Sequence, residues 1–367
     1  MKSKAKALYV HIPFCRNICT YCDFKKFIYN QARVDGYFKS LFLELKQYKE
    51  KKYKSIYVGG GTPSCIDDKN LNEMLHNLSK LLDKNFKEFC IECNVEDINE
   101  KFLQTLTFYG INRVSIGVQS FNDKYINLCG RKHTKEQAIT NIKLAEKYIN
   151  NVSIDLIFAF PFQTTKDIEE EIKILEDLPI KHLSYYSLLI EKNTILHAKK
   201  YENVDDSLQA QMYELICNKL KKIGFRRYEI SNFAKEKKYE SYHNKVYWKN
   251  EHYDAAGIAA SGYFDNVRYV NNSNIIEYIN LNHKKDSEIA LSTEDIMFEE
   301  IMLALRMDKG LSVNKFNKKY NTNFFSKYKE ALDFNLKNGL LICKNNIIKT
   351  TFKGSLLLNS VLEKFMY

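Results

Sequence analysis

Through the first 190 residues the chain alternates short apolar runs with segments whose apolar positions recur every three or four residues. The runs Ala7–Ile12, Ser55–Val58, Phe86–Cys93, Arg113–Val118, Val152–Phe158 and His182–Leu189 are too short for helices, and most are rich in β-branched or aromatic side chains, so they predict strands. Between them, Phe38, Leu41, Phe42 and Leu45 form one helical stripe, and Leu71, Met74, Leu75, Leu78, Leu81 and Leu82 form another. Asp67 or Asp68 predicts a cap for the second helix, and Thr134 with Gln137 predicts a capping box for a later one. Six strand-helix units in succession predict a parallel sheet with helices packed on it. The alternation stops after Leu189, which predicts a partial, open (β/α)6 barrel and not a closed eight-stranded one.

One further helix is predicted from about Ser207 to Ile223, ending at Gly224, where a left-handed cap belongs. Irregular sequence follows: a basic run at Lys235 to Lys238, an aromatic patch from Tyr239 to Tyr253, and the small-residue segment Gly257 to Gly262. From Ser292 three helical segments lead to Leu340–Lys349, where Asn345-Asn346 between two apolar runs predicts a hairpin. That order predicts a winged-helix-like fold. The expected architecture is α/β in three domains: the partial barrel over 1–200, a mixed extension over 201–290 and the winged-helix-like domain over 291–367.

With 367 residues and 45% hydrophobic content the chain can bury a large core. No run approaches the roughly 20 apolar residues of a membrane helix. The basic start, Met1 to Lys6, leads into a short strand without a small-residue cleavage site, so no export signal is expected. The expected location is the cytoplasm, with peripheral contact at the inner face of the membrane compatible. A formal charge of +11 raises nucleic acid, anionic lipid or a propionate-bearing ligand as partners, but the lysines are scattered among Asn, Ile and Tyr and read as solvated faces.

Three of nine cysteines crowd into eight positions, which in a chain without an export signal favours metal over disulfides. Cys15, Cys19 and Cys22 follow the first predicted strand directly. Three thiolates around a cubane leave one iron open to an outside ligand; a zinc site is the alternative, with His11 the nearest candidate for a fourth ligand. Cys-x-x-x-Cys-x-x-Cys after a first barrel strand resembles the signature of the radical S-adenosylmethionine superfamily. The resemblance implies a [4Fe-4S] cluster whose open iron is chelated by the methionine end of the cofactor, and reductive cleavage to an adenosyl radical. Cys90 and Cys93, three apart on a strand, face opposite sides and do not converge on a metal. With Cys65, Cys129, Cys217 and Cys343 they read as small buried hydrophobes.

Unusual residues fall at the carboxyl ends of the predicted strands, where such barrels place their chemistry. They are Gly59-Gly60-Gly61-Thr62-Pro63, whose missing side chains would let backbone approach a charged ligand, then Glu92-Cys93-Asn94, Gln119-Ser120 and Asp155. A carboxylate in an apolar strand needs a partner, such as a cation, an amine or a ribose hydroxyl. Tyr9-Val10-His11-Ile12-Pro13-Phe14-Cys15, the triple glycine, Ser115 to Phe121 and Gly130-Arg131-x-His133 resemble the oxygen-independent coproporphyrinogen III oxidases and their relatives over nearly the whole chain. By that similarity Tyr9, Gly60, Gly61, Thr62, Glu92, Gln119, Arg131 and Asp155 contact S-adenosylmethionine: glycines and Thr62 at its methionine end, carboxylates and Gln119 at amino and ribose groups, Arg131 at its carboxylate.

Three features resemble the haem chaperones of the HemW type within that family more than the oxidases. Phe24 stands where the oxidases carry a further cysteine, only fourteen residues precede Cys15, and His243-Asn244-x-x-Tyr247-Trp248 resembles the chaperones' haem motif, with Tyr228 to Ala234 upstream. The resemblance implies that His243 ligates haem iron while aromatic rings cover the porphyrin. Ala159-Phe160-Pro161-Phe162-Gln163 departs from the family's Gly-Leu-Pro-Gly-Gln, and Val95 replaces a proline. The expected function is haem binding and delivery to an acceptor haem protein, such as a membrane-associated respiratory enzyme, with no catalytic residue assigned and a homodimer compatible. The alternative is oxidative decarboxylation of coproporphyrinogen III. A nucleic-acid reader is disfavoured, because the segment Ser326–Asn338 mixes Lys327, Lys329 and Lys337 with Glu330 and Asp333.

Overall fold

The computed structural model describes residues 4–366; the first part of the basic Met1–Lys6 stretch lies outside the described residues. Six strands run parallel in chain order: β1 (Ala7–Ile12), β2 (Ser55–Gly60), β3 (Glu88–Asn94), β4 (Arg113–Gln119), β5 (Asn151–Phe158) and β6 (His182–Ser187). Their alternation explains the two faces. Leu8, Val10, Ile56, Val58, Ile91, Val114, Ile116, Ile154 and Leu183 are buried in one large core under the helices. The residues between them, among them Tyr9, Tyr57, Glu92, Ser115, Asp155 and Ser184, share the other face, which lines the barrel's interior with polar groups.

The expected helices form with their expected ends. Asp67 caps Asp68–Ser79 by accepting from the Asn70 N–H at 3.1 Å, Thr134 and Gln137 make the capping box of Lys135–Tyr148, and Asp206–Lys222 ends at Gly224 with φ +89°. Leu81 and Leu82 lie just past the end of their helix.

The mixed extension departs from the expectation of irregular sequence. Tyr253–Ala256 pairs parallel to β1, and Ser261–Phe264, Val267–Val270 and Ser287–Ala290 continue outward antiparallel. At the other edge Asn232–Ala234 pairs antiparallel to β6 and then to Arg226–Arg227, so one sheet of twelve strands runs through both segments. These strands have two to four residues each, too few to establish a period, and they add to edges that already exist.

From Thr293 the order is helix, short strand Leu311–Ser312, helices Val313–Tyr320, Phe324–Lys327 and Lys329–Lys337, then the hairpin Leu341–Lys344 and Ile347–Thr350, a winged-helix arrangement with its own core around Phe316, Phe324 and Val361. Asn345 and Asn346 turn the hairpin with φ +53° and +56°, as a two-residue loop of this kind requires. Cys65, Cys90, Cys93 and Cys129 are buried as expected; Cys217 is partly exposed and Cys343 is exposed on the hairpin, which corrects the reading of those two. No helix among the described residues is long and apolar enough to cross a membrane.

Candidate cofactor site at the carboxyl ends of the strands

The cysteine loop leaves β1 at Pro13 and folds back on itself. Phe14–Cys15 pairs with Phe27–Ile28, the Phe27 N–H donates to Pro13 O at 2.7 Å, and the Tyr29 N–H to Cys15 O at 2.9 Å. The Thr20 N–H donates to Cys129 O at 3.0 Å, tying the loop to the turn that carries Arg131. Cys15 is buried while Cys19 and Cys22 are partly exposed, and the three thiols lie close enough to repel one another as thiolates. Burial pushes the Cys15 thiol up to about 11, opposed by the Thr62 hydroxyl, which donates to its sulfur at 3.5 Å. Such a thiol ionises only beside a cation, and metal supplies one. A cubane takes each thiolate at a separate iron, and three neighbouring thiols on one loop supply that donor set. The donor set fits a cluster.

Glu92 and Asp155 face each other's charge inside the barrel. Tyr57 donates to one Glu92 oxygen at 2.8 Å and the Gly60 N–H to the other at 3.1 Å, yet burial, reinforced by Asp155, still raises the Glu92 carboxyl to about 7. Burial likewise raises Asp155, against hydrogen bonds from Ser184 and Ser115, the latter at 3.0 Å. Tyr9 stacks beside Tyr57, and its hydroxyl sits 3.0 Å from His11 Nδ1.

Gly117 pairs in register with Asp155, and a Cβ there would come within 2.9 Å of both Arg131 Nη2 and Gln119 Nε2, so guanidinium and amide meet over this glycine. Burial disfavours the Arg131 charge, but Tyr21 and Cys19 beside it hold it ionised. Its Nη1 donates to Asn94, while its buried Nε has no partner. Two carboxylates, a guanidinium with an unused donor and an amide fit a ligand carrying an ammonium, a carboxylate and ribose hydroxyls. Thr62 reaches Cys15 and Arg131 neighbours Cys19, Gln119, Glu92 and Asp155, while Gly60 and Tyr9 border Glu92 and Gly61 lies against Phe14, so these residues form one connected group that touches the cysteine loop. The glycines differ from expectation in one respect: a Cβ on Gly59 would strike the Glu92 carboxylate at 2.8 Å, on Gly60 (φ +116°) the His11 ring at 2.5 Å, and on Gly61 the Phe14 backbone at 2.8 Å. The room they leave is filled by the protein itself.

Sequence reasoning missed Glu171. This buried side chain on helix Thr165–Glu176 accepts from Ser120 Oγ at 2.7 Å, from the Phe121 N–H at 2.8 Å and from the Tyr185 hydroxyl, and so fixes the turn after Gln119, whose φ is +69°. Its apolar helix face gave no signal. Ala159 and Phe162, which replace the family's glycines, keep left-handed backbone with φ +62° and +66°.

His243 lies elsewhere, at the opposite end of the strands. Its helix, Tyr242–Trp248, closes the barrel's base: Glu88 at the start of β3 accepts from the Tyr242 N–H at 2.8 Å and from Ser241 Oγ at 3.0 Å. His243 Nδ1 is 2.9 Å from Ser55 Oγ, Nε2 is 2.6 Å from the Tyr247 hydroxyl, and the ring packs on Tyr57. The side chain is 1% exposed, and burial lowers its basicity to about 3. The residue expected to meet a porphyrin is thus, in this conformation, a core residue with both ring nitrogens engaged.

Residues 9–175 match the radical SAM superfamily model and residues 291–357 the HemN C-terminal domain. The heme chaperone HemW of Lactococcus lactis is 34% identical over 100% of this chain and 98% of its own, and that of Bacillus subtilis is 33% identical over 98% and 99%. Among solved structures, coproporphyrinogen III oxidase (HemN) from Escherichia coli shares the fold, with a TM-score of 0.86 at 20% identity over 99% of this chain and 90% of that one. A [4Fe-4S] cluster and S-adenosylmethionine are the cofactors that the radical SAM family implies. By sequence over its full length, the chain belongs to the HemW heme chaperone family of the radical SAM superfamily.

Proposed function

We propose that this chain binds haem and passes it to acceptor haem proteins, respiratory enzymes at the membrane among them. In this reading Cys15, Cys19 and Cys22 hold the cluster, and the polar end of the barrel holds S-adenosylmethionine. The observation that carries it is the full-length relationship to haem chaperones; the likeness to the oxidase is one of fold alone. Held by these three cysteines, a cluster would supply the electron that reduces the cofactor's sulfonium. The chain's own residues do the positioning. Glu92, ionised above about 7, pairs with the ammonium group, Arg131 turns its unused Nε to the carboxylate, and Asp155 and Gln119 take the ribose hydroxyls.

The porphyrin meets the exposed apolar side chains that follow the strand ends: Phe24 after β1, Phe162 after β5, and Tyr186 and Leu189 at and after the end of β6. His243 becomes an iron ligand only when helix Tyr242–Trp248 leaves the barrel base. Anaerobic haem titration of the reconstituted protein tests the reading. A stoichiometric Soret band that Phe162→Ser or Tyr186→Ser weakens, without turnover of coproporphyrinogen III in the presence of dithionite and cofactor, supports it. Turnover of that substrate replaces it with the oxidase reading.

A further inference from the structure

On the outside of the barrel, between helix Gln31–Leu45 and helix Asp68–Ser79, runs an open groove of about 680 Å³. One wall carries Lys39, Phe42, Leu43 and Lys46 at the spacing of a single helical face; the other carries Lys69, Glu73, Asn77 and Lys80. Lys49 and Lys52 close one end, and the buried Leu45 and Leu81 lie along the floor. Six ammonium groups therefore face two carboxylates. One of those, Asp35, already accepts from Gln31 at 2.9 Å and from Asn70 at 3.0 Å.

The neighbouring lysines are neutralised: Lys51 pairs with Asp254, Lys54 with Asp83 and Lys101 with Asp68. Among the described residues, none of Lys39, Lys46, Lys49, Lys69 and Lys80 has a carboxylate within 4 Å. A concave, apolar-floored channel lined by unneutralised cations is complementary to an anionic amphiphile. Its concavity suits a chain segment laid between two helices; a bilayer would require a convex or flat face. From Lys39 to Lys49, ten residue steps, the lysine-bearing side spans about 15 Å, some three turns of a bound helix.

We propose that this groove docks an acidic amphipathic segment of a partner protein, with apolar residues against Phe42 and Leu43 and carboxylates against the lysines. The inference rests on the groove's shape and charge and not on the haem reading, because the groove lies on the helical outside of the barrel, away from the strand ends.

The test uses the full chain and a fluorescein-labelled synthetic peptide of about fourteen residues, leucine at three- and four-residue spacing and glutamate elsewhere. Fluorescence anisotropy is expected to show saturable binding that weakens with salt. The combined Lys39→Glu, Lys46→Glu and Lys80→Glu variant is expected to bind at least about tenfold more weakly. A control variant with Lys315→Glu, Lys318→Glu and Lys337→Glu, equal in net charge, keeps the binding. All six lysines are exposed, so both variants fold, and circular dichroism checks it. Equal loss in the two variants, equal binding of a leucine-lysine peptide, or binding of phosphatidylglycerol vesicles without binding of the acidic peptide overturns the proposal. Haem titration of the groove variant is expected to be unchanged, so failure here is distinguishable from failure of the haem reading.

Discussion

Replacing Glu92 by glutamine tests the electrostatics of the barrel interior, because the two side chains have the same shape and differ in one ionisation. Burial raises the folded carboxyl from 4.5 to about 7. Below pH 4.5 folded and unfolded chains both carry the proton and the site costs nothing. Between 4.5 and 7 the folded chain binds more protons than the unfolded one, so stability falls as pH rises, and above 7 the full cost of a buried carboxylate is present. At about 1.4 kcal/mol per unit the shift corresponds to roughly 3 kcal/mol, which we discount to about 2 kcal/mol because the group borders the open interior. The substituted amide keeps an acceptor for the Gly60 N–H and offers its NH2 group to a Tyr57 hydroxyl that turns to accept. Denaturant unfolding of the metal-free protein across pH 4 to 8 is the assay. The difference between wild type and variant cancels other titrations, and any constant offset from altered packing leaves its slope intact. Relative to wild type, Glu92→Gln gains about 2 kcal/mol between the two ends of that range. Parallel curves would refute the claim that Glu92 is held protonated by its surroundings.

His243→Ala empties a buried site and orphans Ser55 and Tyr247, so thermal unfolding should report a loss of about 2–4 kcal/mol, far more than removal of a surface ligand. Because burial lowers this imidazole to about 3, the folded chain binds fewer protons than the unfolded one between 3 and 6.5; its contribution is complete above 6.5 and declines as the pH falls, a dependence the variant lacks. Phe162→Gly removes a left-handed backbone penalty of about 1–2 kcal/mol at an exposed position, and after the entropy of glycine it should raise stability by roughly 0.5–1 kcal/mol in equilibrium unfolding. Glu171→Gln loses one of three buried hydrogen bonds and should cost about 1–3 kcal/mol while weakening S-adenosylmethionine binding measured by calorimetry, through the turn at Gln119.

The barrel was legible because each of its six strands is buried on one face and joined by an amphipathic helix, so period and length agree over six repeats. Its ends were read to within two residues, as at β2, which extends past Val58 to Gly60. The interior chemistry was legible for a related reason: Glu92 and Asp155 are ionisable residues at strand positions where only a ligand or a hydrogen-bond network tolerates them. What escaped was structure made by distant partners. Tyr253-Asp254-Ala255-Ala256 becomes a strand because β1 offers an open edge, and nothing local announces it. His243 sits between aromatic residues in both settings, exposed haem ligand or buried plug, and only the position of Ser55 and Glu88, about 150 to 190 residues away in sequence, decides between them. Cys343 is exposed because its hairpin is at the edge of a small sheet, a fact of register that composition does not carry.

The central claim is that Cys15, Cys19 and Cys22 hold a cubane with one iron free for an outside chelator. Electron paramagnetic resonance of the anaerobically reconstituted, dithionite-reduced protein, recorded with and without S-adenosylmethionine, tests it most directly. The expected result is a reduced four-iron signal that shifts on adding the cofactor and is lost when any one of the three cysteines becomes serine, while serine at Cys65 or Cys129 leaves it in place. A signal that the cofactor does not move, or one that survives loss of Cys19, would contradict it.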